Sequence, residues 1–195
     1  MNGHEKIKNQ SRKWLSDSLL ELMQKRNYGD ITIGQIAEHG GLSRRTFYRS
    51  FKSKEEVMDY ITASISLQYE EHLFSNNFEC FEFRKIAHVF FSFFEEHYAL
   101  LKLLQKNGLE YQILKLFNYY LPIICEHLLD SDRAIKSGIT PNEAVYVKYF
   151  TRFNCGGFFN LLLLCLENDE HLNAAEMEAS ITTAYELFWH MENVQ

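Results

Sequence analysis

From Glu5 to Lys25 apolar residues recur at Ile7, Trp14, Leu15, Leu19, Leu22 and Met23, which is the spacing of one helix face, and Gly29-Asp30 ends the run. Thr32 opens a second segment with Gln35 three places on, a capping-box spacing, and Ile33, Ile36 and Ala37 give it an apolar side. Gly40-Gly41 stops it, because glycine enters tight or left-handed backbone at least cost. Leu42 is a lone apolar residue in the turn, and Ser43 caps a third helix running to about Ser50, with Phe47 and Phe51 facing inward. Ser53 and Glu56 form another capping-box spacing ahead of a helix that carries Val57, Ile61 and Ile65 on one side. Four helices therefore fill roughly the first 70 residues, joined by short connections.

Longer helices follow. The pattern predicts one from Phe83 to Gln105 and another from Leu109 to Leu129, kinked at Pro122. Residues 130–141 then read as a loop. A long helix from Asn142 to Glu167 becomes apolar nearly all round in its later half, Phe158-Phe159-Asn160-Leu161-Leu162-Leu163-Leu164. The last helix starts near Ala174, with Asn173 and Glu176 as caps. It repeats Met177, Ile181, Ala184, Phe188 and Met191 at steps of four and three, a heptad seam that seeks another helix. The fold class is all-α.

Composition agrees with that class. The chain has 195 residues, two prolines and nine glycines, and it is 46% hydrophobic, enough for a core and too regular for disorder. Its longest uncharged stretch, Phe153 to Leu166, falls short of the roughly 20 residues a membrane span needs. The polar start predicts a cytoplasmic protein, without membrane association. Cys80, Cys125, Cys155 and Cys165 lack metal spacing; two of them sit inside strongly apolar runs, and they read as reduced, buried thiols.

Charge changes the picture further. The net −6 hides a division: residues 1–54 hold 11 Lys and Arg against 5 Asp and Glu, a surplus of +6, while residues 55–195 carry −12. A basic head on an acidic body suggests an anionic partner for the head alone.

The head's chemistry sits in Thr32 to Lys54, TIGQIAEHGGLSRRTFYRSFKSK. A short helix, a glycine turn and a second short helix set at an angle are the helix-turn-helix arrangement. Ala37 is small where the two helices approach. The second helix offers Arg44, Arg45, Thr46, Tyr48 and Arg49 outward while burying Phe47. A guanidinium bonds guanine O6 and N7 together, so arginines near such a helix start suit the major groove of double-stranded DNA. Thr32, Tyr48, Lys52 and Lys54 flank it and suit contacts of the positioning kind, to phosphate, and the cap residue Ser43 completes the DNA-binding set.

In Thr32-Ile33, Ile36-Ala37, Gly41-Leu42-Ser43, Thr46-Phe47-Tyr48, Phe51 and Ser53-Lys54-Glu55-Glu56-Val57 the head closely resembles the TetR family of transcriptional regulators. Gly40 departs from the alanine frequent in that family, and Arg45 stands where many members have a small residue. The resemblance implies a helix-turn-helix domain over residues 1–52, a linking helix over 53–72, and a ligand-binding and dimerisation domain over 73–195, about nine helices in all. It implies a homodimeric repressor released from a palindromic operator by a small-molecule effector. The same fold also serves proteins that activate, or whose larger domain answers to a protein partner. Phe153 to Leu162, with Gly156-Gly157, is similar to the dimer helix of one large subset. Gly156, Gly157, Phe158 and Leu161, with the seam residues Met177, Ile181, Ala184 and Phe188, are therefore the candidate dimer interface.

Ligand cavities are mostly apolar, so the effector is expected to be largely apolar as well. Phe94, Tyr98, Phe117, Tyr120, Tyr149 and Phe153 are the candidate lining, with Asn118, Arg152 and Asn154 as polar anchors. No cofactor, metal site or enzymatic centre is expected. The histidines lack HExxH spacing, and no GxSxG, Walker A or GxGxxG occurs.

Overall fold

The computed structural model describes residues 3–75, 83–115, 118–119, 140, 143–168 and 173–192. Among them every regular element is helical: α1 (Gly3–Met23), a 3-10 turn (Tyr28–Asp30), α2 (Ile33–His39), α3 (Arg44–Ser50), α4 (Lys54–Ser75), α5 (Phe83–Glu96), α6 (Tyr98–Lys106), α7 (Ala144–Glu167) and α8 (Ala174–Glu192). Residues 110–115 are helical too. The Pro122 kink, Cys80, Cys125 and nearly all of the 130–141 loop lie outside the described residues. No described helix is long and apolar enough to cross a membrane.

Two compact units divide the chain: Met1–Ser66 with Leu103–Gln112, and Leu67–Lys102 with Ile113–Gln195. In the first, α1, α2 and α3 pack on one another. Leu15, Leu19, Met23, Ile36, Ala37 and Phe47 are all but completely buried, with Val57 and Met58 of α4. Each large side chain among them contributes about 1.5–3 kcal/mol of hydrophobic stabilisation.

Local chemistry sets the helix ends. Thr32 caps α2 with a complete capping box: its hydroxyl accepts from the Gln35 N–H, and the Gln35 side chain accepts from the Thr32 N–H. At the other end Gly41 takes φ +65, and the Leu42 and Gly41 N–H groups return to the carbonyls of Ala37 and Glu38. That is a Schellman closure, and it needs the left-handed residue. Ser43 then caps α3, accepting from the Thr46 N–H at 3.1 Å. The second box forms only in part. Ser53 Oγ accepts from the Glu56 N–H, but the Glu56 carboxylate takes the N–H of Lys52, one residue further out.

In the second unit the helix expected over 83–105 is broken. α5 ends at Glu96 and α6 begins at Tyr98. His97 Nδ1 lies 2.8 Å from the Phe93 carbonyl while the ring stacks on Phe93, so a side chain competes for the backbone acceptor where the helix divides. Phe90, Phe91, Phe93 and Phe94 are buried. Phe90 and Phe91 lie 5.2 and 5.4 Å from the ring of Phe158 on α7, and Phe93 meets Tyr69 of α4 at 5.0 Å. α8 packs along α5, where Glu178 holds Arg84 at 2.6 Å and His88 at 2.8 Å.

Candidate nucleic-acid interface

α3 sorts its side chains cleanly. Phe47 and Ser50 are buried and Thr46 is half-buried, while Arg44, Arg45, Tyr48 and Arg49 are exposed, Tyr48 by 59%. At 100° per residue the exposed four share an arc of about 140° and the buried pair the opposite side. Three arginines therefore lie on one solvent face of a helix whose other face is fixed in the core. The Thr46 hydroxyl pairs with Ser43 Oγ at 3.0 Å, so both hydroxyls serve the cap first.

Of the flanking candidates, Thr32 and Lys52 are exposed. Lys54 differs from the expectation of a phosphate contact. Its ammonium donates to the carbonyls of Tyr28 (2.5 Å), Ile31 (2.9 Å) and Gly29 (3.4 Å), and it lies 4.2 Å from the centre of the Tyr28 ring. All three ammonium protons have acceptors inside the protein, where they tie the 3-10 turn to the start of α4. Burial first, then Glu55 and Asp59, push the Tyr28 phenol up to about 12, so the ring stays neutral beside that cation.

Arg12 was invisible to sequence reasoning as part of this head. Its Nε donates to the carbonyl of Ser50, the last residue of α3, at 3.3 Å. The guanidinium lies 5.2 Å from the Phe51 ring and 5.5 Å from that of Tyr60. A cation at a helix C-terminus offsets the dipole and takes an open carbonyl. Because 38 residues separate the partners, no local spacing announces the contact.

Gly40, the departure from the family's alanine, has a cause in packing. A Cβ there would stand 2.8 Å from Ser18 Oγ, while the Ile36 and Trp14 carbonyls lie at ordinary contact distances of 3.5 and 3.6 Å, so the buried Ser18 hydroxyl of α1 is what obstructs a methyl.

The other candidates lie in the second unit. Phe94 is fully buried among Phe90, Phe93 and Tyr69; Tyr98 is half-buried. Tyr149 and Phe153 are exposed by 67% and 75%, so they do not share an enclosed cavity with Phe94. Phe117 and Tyr120 lie outside the described residues. Asn118 and Arg152 are exposed, whereas Asn154 is buried, donates to the Phe150 carbonyl and accepts from the Tyr185 hydroxyl of α8. Of the dimer candidates, Phe158 and Ile181 are buried within the chain, Gly156, Leu161 and Met177 are half-buried, and Gly157 and Ala184 are exposed. The Phe188 side chain is not among those described. Cys155 is half-buried and Cys165 buried, and neither is in a disulfide. Among the described residues no group of three His, Cys, Asp or Glu is placed to hold a metal ion.

Comparison with known proteins bears on the head first. Residues 16–61 match the family of bacterial regulatory proteins, tetR family. Among curated proteins no relative matches. Among solved structures the chain is similar to the dihydroxyacetone kinase operon activator DhaS, at a TM-score of 0.55 and 17% identity, over 89% of this chain and 93% of that one. At such identity the likeness speaks for fold. The matched residues contain the caps, the turn and the arginine face described above, so the head is a helix-turn-helix of the TetR family type, and the likeness to DhaS extends the similarity in fold to the larger helical part that follows it in the chain.

Proposed function

We propose that this protein binds a palindromic operator as a homodimer and controls transcription of the adjoining genes. The observation that carries the reading is the arginine face of α3, exposed opposite a buried Phe47. Arg44 and Arg45 read base edges; Thr32, Tyr48, Arg49 and Lys52 position the head on phosphates. Residues 1–52 form the DNA-binding domain, 53–72 the link, and 73–195 the part that dimerises and takes a largely apolar effector. The protein acts in the cytoplasm and catalyses no reaction.

Pairing is supported by α7. Tyr146, Tyr149, Phe153, Gly157, Asn160 and Leu164 are all exposed and fall within an arc of about 80°. The opposite side, with Phe158, Leu162, Cys165 and Leu166, is buried in the chain's own core. A mainly apolar stripe of about five turns, narrowed to backbone at Gly157, suits a second copy of the same helix. Tyr149 and Phe153 are accordingly assigned to that interface and not to a cavity.

Repression by occupying a promoter is the first reading, with the effector favouring a dimer whose heads no longer match the operator. Activation is the second, favoured by the similarity to a protein named as an operon activator. Selection of bound duplexes from a random pool tests the whole. It should return a palindrome with half-sites about 34–36 Å, one helical turn, apart. Recovery of no preferred duplex from a folded dimer would refute it.

A further inference from the structure

Arg44 is the first residue of α3 and is exposed, yet its guanidinium does not extend freely. A Cβ placed on Gly34 would lie 2.5 Å from Arg44 Nη2, 3.0 Å from Nε and 3.1 Å from Cζ. The guanidinium thus fills the space that a Cβ on Gly34, in the first turn of α2, would need. No acceptor holds it there: among the described residues Arg44 makes no hydrogen bond or ion pair. The amino end of α2 carries partial positive charge and repels a cation. Shape alone makes the seat, a flat group against backbone that has no side chain. Nothing in the backbone asks for glycine at this place. Gly34 is helical and is not among the positive-φ glycines, Gly41 and Gly108, and glycine is a poorer helix former than alanine.

We propose that Gly34 is a specificity-determining residue of the DNA interface that acts through Arg44. By leaving position 34 empty it sets the direction in which Arg44 leaves α3, and so the base pair that Arg44 reads. Bidentate pairing of a guanidinium with guanine demands coplanar approach at hydrogen-bond distance, so a shift of about an ångström in the guanidinium disrupts it. Gly34 itself touches no base and is a positioning residue. The inference rests on α3 being the recognition helix.

The test compares wild type, Gly34→Ala, Gly34→Ser, Arg44→Ala and the Gly34→Ala/Arg44→Ala pair by duplex selection, fluorescence anisotropy and thermal melting. Arg44→Ala should relax discrimination at one base pair of each half-site by roughly tenfold. Both Gly34 variants should relax or switch preference at that same base pair and at no other. The double variant should be no worse than Arg44→Ala, and Gly34→Ala should melt at or above the wild-type temperature. A wild-type preference profile in both Gly34 variants overturns the proposal, and so does a further loss in the double variant. If wild type itself selects no duplex, the DNA-binding reading falls and takes the inference with it. Selective wild-type binding with unchanged Gly34 variants defeats the inference alone.

Discussion

Lys52 and Lys54 are two residues apart and carry the same charge, but their surroundings give them different work. Lys54 is bound to three carbonyls of the Tyr28–Ile31 turn, while the Lys52 side chain is exposed. Hydrogen bonds from a charged donor are worth more than neutral ones, so Lys54→Ala should lower unfolding free energy by about 1–3 kcal/mol in urea titration. The slope of log affinity against log salt should stay unchanged in that variant. Lys52→Ala should do the opposite: stability within about 0.5 kcal/mol, and a salt slope shallower by about one phosphate contact. A shallower slope in Lys54→Ala would reverse this assignment. Sequence spacing treated the pair alike because the carbonyls that capture Lys54 lie 23 to 26 residues upstream.

Between elements, two joints invite direct tests. Where α1 meets the end of α2, Gly40→Ala would drive a methyl against Ser18 Oγ, which is buried and donates to the Trp14 carbonyl. Relief requires Ser18 to give up that bond or the helices to part, so a loss of about 1–2 kcal/mol is expected. Ser18→Ala removes the obstructing oxygen and should restore most of it in the double variant; purely additive losses would rule out the contact as cause. Where α5 meets α8, the Arg84 hydrogen bond, ahead of the opposing burial and then His88, holds the Glu178 carboxyl below its ordinary range. A depressed carboxyl stabilises the fold above its unfolded pKa, about 4.3, and that contribution is lost as pH falls through the lower folded value. Arg84→Ala should therefore melt below wild type at neutral pH, and the gap should close on acidification below about pH 4. A gap constant across that range would exclude the linkage.

For the assembled protein the exposed stripe of α7 makes the sharpest demand. Phe153 is 75% exposed in the single chain, so Phe153→Glu leaves the fold of one copy untouched. It places like charges opposite each other in a symmetric pair, where desolvation and repulsion oppose association. Sedimentation at micromolar concentration should show wild-type dimers and Phe153→Glu monomers, with operator affinity falling in parallel. A dimeric Phe153→Glu protein would move the interface off this stripe. The effector proposed for the larger domain could shift the DNA affinity only by its differential affinity for two dimer geometries, typically about 1–3 kcal/mol of coupling.

The caps at Thr32, Ser43 and Asn173, the turn at Gly41 and the inward face of Phe47 were all legible in the chain, because each depends on residues within a few positions of one another. Helix periodicity likewise marked the later half of α7 as apolar nearly all round, but not which side its own core claims and which it leaves bare. That division, the break at His97, the capture of Lys54, the clasp of Arg12 on Ser50 and the seat of Arg44 on Gly34 were decided by packing. The reason is range. Backbone hydrogen bonding and capping are settled within a turn or two of chain, whereas a side chain's partner across the fold is settled only when distant segments compete for the same space and the same acceptors.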